Sequence, residues 1–203
     1  MGLDIQLHGL GGMVMADSNF NFQKLDLNGA YLITYYSVDD HRGGFAKNFH
    51  KDIFHNAGIN FQLSETFISM SAKNVLRGLH FQINNPQAKL VCVPYGSAYD
   101  VLVDLRPRST TFKLWQGFEL SRENHKALYI PKGFAHGFLS LENDTQMLYQ
   151  CDGAYDKETD TGIRIDDSDI AVSWPIDLND AFISQRDLQL MSFEAYFEHP
   201  MKI

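Results

Sequence analysis

From about Gly29 to Trp174 the chain reads as a succession of short β segments cut by turn residues, a rhythm that points to an all-β enclosure. Ala30 to Ser37 is rich in Tyr, Ile and Thr before Asp39-Asp40-His41-Arg42-Gly43-Gly44 forces a turn. Leu90 to Pro94 and Ala98 to Leu105 flank Tyr95-Gly96-Ser97, and Phe112 to Leu120, Lys126 to Ile130 and Thr145 to Cys151 continue the series. Within Ala98 to Leu105, Tyr99, Val101 and Val103 share one face while Asp100, Leu102 and Asp104 share the other. Many short strands at regular spacing predict a closed antiparallel barrel or jelly roll, with a cavity lined by alternate residues of each strand. Helices are expected only at the periphery. Asp52 to Ala57 is a short candidate; Asp180 to Phe197 is a longer one, with Phe182, Leu188, Met191 and Phe193 as its apolar stripe.

A chain of 203 residues suits one domain with arms. The expected division is an N-terminal arm over 1–29, a barrel over 30–178, and a helical, aromatic tail over 179–203 that packs on the barrel. A formal charge of −8 argues against general binding to a nucleic-acid backbone, yet leaves room for a nucleotide ligand held by a few placed cations. Two cysteines, Cys92 and Cys151, are too few for a disulfide framework or a cysteine-rich zinc site, so a cytoplasmic protein with reduced thiols is the simplest expectation. No stretch has the length of a membrane span. Met1 to Met15 lacks the basic start and continuous apolar run of a signal peptide.

Arg77-Gly78-Leu79-His80-Phe81-Gln82 holds the densest set of reactive side chains. A hairpin over Leu79 to Val91, turning at Ile83-Asn84-Asn85-Pro86, is expected to set Gln82 opposite Gln87 and His80 opposite Lys89. His80 and Gln82 share a face by parity, and burying such a set is costly unless it meets partners or a ligand. A second histidine, His136, lies in Ile130 to Phe138, where Pro-x-Gly-x-x-His looks like half of a cupin metal motif. The other half is defective, because Gln82 stands where a second histidine belongs. Two imidazoles make a weak metal site, so a cupin-like barrel without a catalytic metal is predicted.

Leu76 to Gln82, Gln87-Ala88-Lys89-Leu90-Val91, Asp100 to Arg106, Ile130 to Phe138, Leu148-Tyr149 and Trp174-Pro175 together closely resemble the dTDP-4-dehydrorhamnose 3,5-epimerase family. The resemblance runs from roughly Ala30 to Pro175. It implies a double-stranded β-helix (cupin, jelly-roll) barrel with short peripheral helices, a homodimer, and an isomerase that needs no cofactor. The implied chemistry is removal of a proton alpha to the C4 ketone of a nucleotide-linked 4-keto-6-deoxy sugar, at C3 or C5, and its return on the other face. On that resemblance His80 is the base, Asp167 (or its neighbour Asp166) orients it, Lys89 stabilises the enolate oxygen and Tyr149 protonates the opposite face. Each role is chemically sound. A neutral imidazole accepts a proton near physiological pH, a buried acid fixes its tautomer, and a preorganised cation meets developing negative charge. His136 and Arg77 match residues near the sugar and diphosphate, Tyr155 matches a tyrosine lining the pocket, and Gln82 is expected to contact substrate from the face it shares with His80.

Some positions depart from the family's pattern. The segment Arg42-Gly43-Gly44-Phe45-Ala46-Lys47, which the resemblance implies reaches the partner's site through Arg42 and Phe45, carries Lys47 where an acid is usual. A lysine can only donate, which suits a base presenting an acceptor, such as cytosine N3. Glu65-Thr66-Phe67 likewise replaces a Gln-Asp-Asn-like stretch, altering substrate contacts at Glu65 and Phe67. A CDP-linked sugar epimerised only at C5 is therefore an alternative substrate. A non-catalytic sugar-nucleotide-binding cupin and a metal-dependent cupin oxygenase are competing classes.

Overall fold

The structure, a computed structural model, describes residues 20–200. Its strands are β1 (Asn21–Lys24), β2 (Tyr31–Thr34), β3 (Tyr36–Asp40), β4 (Gly43–Lys47), β5 (Glu65–Ser71), β6 (Val75–Gln82), β7 (Lys89–Tyr95), β8 (Ser97–Asp104), β9 (Trp115–Ser121), β10 (Lys126–Ile130), β11 (Phe134–Ser140), β12 (Thr145–Cys151), β13 (Asp160–Gly162) and β14 (Phe182–Ile183). The helices are short: α1 (Lys51–Asn56), α2 (Gln185–Leu188) and α3 (Phe193–Glu198). One sheet runs β1-β2-β10-β7-β12-β5 and the other β13-β6-β11-β8-β9, with β14 added in parallel to β6; β3 and β4 form a separate hairpin. This is the jelly-roll barrel that the strand rhythm anticipates.

Period-2 alternation assigns each residue to the inside or the outside. Leu32, Val91, Leu128 and Met147 from the first sheet meet Ala98, Leu102, Leu120 and Phe138 from the second, closing the interior. On β8, Leu102 faces this interior while Val101 and Val103 pack outward with Ile165, Trp174, Phe193 and Tyr196 of the C-terminal region. Outside the first sheet, Ile33, Leu90, Cys92 and Ala127 pack under Phe54 of α1. Each sheet therefore carries apolar packing on part of its outer face as well as on its inner one.

Three expectations are corrected here. The arm boundary at Gly29 falls inside the sheet, because β1 pairs with β2 from Asn21↔Thr34 to Lys24↔Tyr31; residues 1–19 lie outside the described residues. The single helix over Asp180 to Phe197 is instead a strand and two short helices, each helix started by a serine cap: Ser184 accepts from Asp187 N and Ser192 from Ala195 N. The Leu79–Val91 hairpin does not form. β6 and β7 belong to opposite sheets, so His80 lies opposite His136 on β11, and Lys89 opposite Cys151 on β12. The turn at Ile83–Pro86 carries the chain from one wall of the barrel to the other.

Candidate active site

His80, Lys89, Tyr149, Arg77, Gln82, Glu65, Phe67, His136 and Tyr155 all line one cavity of about 230 Å3 between the two sheets. Inward parity accounts for most of the set: Glu65, Phe67 and Ser69 come from β5, Lys89 from β7 and Tyr149 from β12. His80 and Gln82 come from the facing β6, and His136 from β11. Arg77 and His80 have opposite parity and still share the cavity, because β6 bulges. His80 pairs with His136 and Arg77 with Phe138, so one extra β6 residue is absorbed at Gly78. Gly78 has φ +134, and a Cβ there would meet the Gly137 Cα at 2.6 Å. The bulge therefore depends on two glycines facing each other across the ladder.

His80 Nε2 donates to Asp187 Oδ1 at 2.8 Å, and the second carboxylate oxygen accepts from Gly78 N at 3.3 Å. A neutral imidazole donating from Nε2 keeps its lone pair on Nδ1, which makes it a base of fixed orientation. Burial pushes the Asp187 carboxyl up, but hydrogen bonds from His80, Gly78 and Ser184 outweigh it and hold the group below the usual carboxylate range. The expectation for Asp167 is thus corrected. Its carboxylate accepts from the backbone N–H of Asp169, Ile170 and Phe193, tying a turn to the start of α3. Asp166 is paired with Arg164. Neither is bonded to His80.

On the facing wall, burial drives Lys89 down from its ordinary value, opposed by Cys151, Asp160 and Asp100. Burial, reinforced by Asp100, raises Tyr149 well above the usual phenol, with Ser69 and Arg77 pulling the other way. Tyr149 therefore keeps its proton across the physiological range, a donor rather than an acceptor. Its ring stacks on Phe67, with centroids 4.6 Å apart and planes 14° from parallel.

His136 is buried with Nε2 between the two oxygens of Asp100, at 3.0 and 2.9 Å. Asp100 lies diagonally across the β8–β11 ladder, within reach of such a side chain. Burial raises the Asp100 carboxyl, while His136 and Lys89 draw it back. Gln82 lines the cavity, but its amide is committed to structure: it donates to Asn85 O and Ala154 O and accepts from Asp156 N. It braces the loop that carries Tyr155. At the rim, Asp160 accepts from the Tyr155 hydroxyl at 3.1 Å and from Arg186 at 2.7 Å. Glu65 accepts from Gln87 at 3.3 Å, and Arg77 donates to Ser71 Oγ and Met70 O.

Arg42, Phe45 and Lys47 stand apart. They sit exposed on the β3–β4 hairpin and do not line this chain's cavity; Arg42 is engaged by Asp40. Among the described residues no group of three or more His, Cys, Asp or Glu is arranged to hold a metal ion. The sequence reading missed Asp187, Asp100, Asp160 and Ser69. For Asp187 a signal existed, since Ser184-Gln185-Arg186-Asp187 has the serine-to-acid spacing of a helix start.

A jelly roll with a carboxylate-held imidazole on one wall and a lysine and a protonated phenol on the other carries the groups that acid–base chemistry uses, in a cupin-type barrel. A sequence profile described as dTDP-4-dehydrorhamnose 3,5-epimerase matches residues 24–195, and the chain belongs to that family of isomerases. A dTDP-4-dehydrorhamnose 3,5-epimerase of Methanothermobacter thermautotrophicus is 43% identical over 171 residues, covering 84% of this chain and 92% of the relative. Its counterpart in Escherichia coli is 41% identical over 157 residues, covering 76% and 84%. The dTDP-6-deoxy-D-glucose-3,5-epimerase of Legionella pneumophila, solved with dTDP-4-keto-L-rhamnose, superposes with a TM-score of 0.82 at 34% identity, covering 85% of this chain and 92% of that one.

Proposed function

We propose that this chain epimerises a dTDP-linked 4-keto-6-deoxy sugar at C3 and C5, the reaction named for its relatives in deoxysugar synthesis, with His80, Asp187, Lys89 and Tyr149 carrying the chemistry. The observation that carries this reading is the division of the cavity: His80, held by Asp187 of α2, stands on one sheet, and Lys89 and Tyr149 stand on the other. Inversion at carbon needs one group to take a proton from one face and another to deliver a proton to the opposite face. His80 Nδ1 takes the proton alpha to the C4 ketone, and the electron pair moves onto the ketone oxygen as an enolate. Lys89, drawn from its own wall, stabilises that oxygen. The Tyr149 hydroxyl then protonates the other face, and solvent resets both groups. Asp187 holds the imidazole tautomer and steadies the imidazolium. Arg77, His136 and Tyr155 are assigned to the sugar and diphosphate.

A homodimer is part of the same reading. Arg42, Phe45 and Lys47 lie on a projecting hairpin outside their own cavity, so their assigned contacts to the nucleotide are made in the partner's site. β5, at the sheet edge, exposes Phe67, Ile68 and Met70. A cytoplasmic setting fits the two buried free thiols. Lys47 supports a second reading, a CDP-linked sugar inverted at C5 alone, because its ammonium donates to a base acceptor. Incubation of dTDP-, CDP- and GDP-linked 4-keto-6-deoxy sugars with the protein in deuterated water tests both. Deuterium at C3 and C5 of the dTDP sugar is expected; C5-only labelling of the CDP sugar would favour the second reading, and no labelling of any would remove the enzyme reading.

A further inference from the structure

Phe67 and Tyr149 are direct cross-strand partners on β5 and β12, and their rings lie nearly parallel at 4.6 Å. The His136 ring meets the same phenol edge-on, with centroids 5.8 Å apart and planes at 77°, and His136 is itself held by both oxygens of Asp100. The Ser69 hydroxyl, two residues from Phe67 on the same inward face, is buried beside the phenol. Tyr149 is 8% exposed and Phe67 46%, so Phe67 is the partially open member of this packing. The Tyr149 ring is confined by a stack on one side and an edge contact on another.

We propose that Phe67 is a positioning residue that holds the Tyr149 phenol against the reacting carbon and thereby sets how often proton removal ends in inversion. The inference rests on the proposed roles of His80 and Tyr149. Once His80 has taken the proton and the enolate exists, two protonations compete. The Tyr149 O–H bond breaks and its proton joins the opposite face, giving inversion and a phenolate that solvent reprotonates. Alternatively the imidazolium returns a proton, already exchanged with solvent, to the original face, giving labelled but uninverted sugar. A phenol held in place favours the first route. A loosened ring loses reach, and return from His80 gains.

The readout is the ratio of deuterium incorporated with retained configuration to deuterium incorporated with inversion, measured by NMR on substrate and product together. Phe67→Ala and Phe67→Leu are expected to raise that ratio about two- to tenfold, the range corresponding to loss of one aromatic pair. Phe67→Tyr, which restores a ring, is expected to return it to the wild-type value. Tyr149→Phe marks the upper limit. A mere loss of folded protein lowers both products together and leaves the ratio unchanged, and Phe67→Leu keeps the apolar bulk at this half-exposed site. Wild-type inversion with an unchanged ratio in both Phe67→Ala and Phe67→Leu would overturn this inference alone. A wild-type protein that incorporates no deuterium would overturn the epimerase reading and this inference with it.

Discussion

Asp187 and Asp167 both accept several hydrogen bonds, and the identity of the donors separates their work. Asp187 takes one from an imidazole in the cavity, whereas Asp167 takes all of its bonds from backbone N–H groups. Asp187→Asn is expected to cut kcat by about 10²-fold or more, the scale of losing an oriented acid–base group. Asp167→Asn is expected to keep kcat within a few-fold and to cost about 1 kcal/mol of stability, as removal of a cap does. Steady-state kinetics beside thermal unfolding distinguish the two. Because the Asp187 carboxyl is held below its ordinary value in the fold, its stabilisation is fully present above the ordinary carboxylate range. It is lost as pH falls through the lowered value, so Asp187→Asn should flatten the acid end of the stability profile. At the alkaline end Tyr149 is raised and Lys89 is lowered. The alkaline limb of kcat/KM is therefore expected below the ordinary lysine value, and Lys89→Arg should remove it, since arginine does not lose its proton there. A limb unmoved by Lys89→Arg would assign that titration elsewhere.

Strand β6 carries more of the site than its length suggests, because a bulge turns residues of opposite parity to one side. That bulge depends on Gly78 and Gly137. A Cβ on Gly137 would meet Arg77 O at 2.7 Å, with the Gly78 Cα and Leu79 Cδ2 both at 3.1 Å. Gly137→Ala is expected to lose about 2–3 kcal/mol through overpacking, read as a lowered melting temperature. Legibility differed among elements for physical reasons. The strands showed through because alternation and turn residues are local signals, and the faces of Ala98 to Leu105 were read as the structure has them. Pairing partners are not local. His80 and Lys89 converge as expected, yet from facing sheets rather than across a hairpin. In the C-terminal stretch the apolar spacing of Phe182, Leu188, Met191 and Phe193 resembled one helix. The two serine caps that break it, at Ser184 and Ser192, were the better guide, and overlooking them hid Asp187. The resemblance places the orienting role on Asp167, whose carboxylate is committed to backbone N–H groups.

In the whole molecule, the cavity lies between two sheets while the Arg42–Lys47 hairpin stands outside it. If that hairpin completes a partner's site, mixed dimers of His80→Asn and Arg42→Ala chains contain one site with both His80 and Arg42 intact. Exchanging the two variants should regain activity that neither shows alone; failure to regain it, with mixed dimers verified, would place Arg42 outside the partner's site. In the proposed reaction, opposite walls of one cavity remove and deliver a proton. This is tested most directly by incubating wild type and His80→Asn with a dTDP-linked 4-keto-6-deoxy sugar in deuterated water and assigning configuration and label at C3 and C5 by NMR. The expected result is label with inversion in wild type and no label in a folded His80→Asn protein. Label persisting in His80→Asn, or wild-type label with no inversion at either carbon, would contradict it.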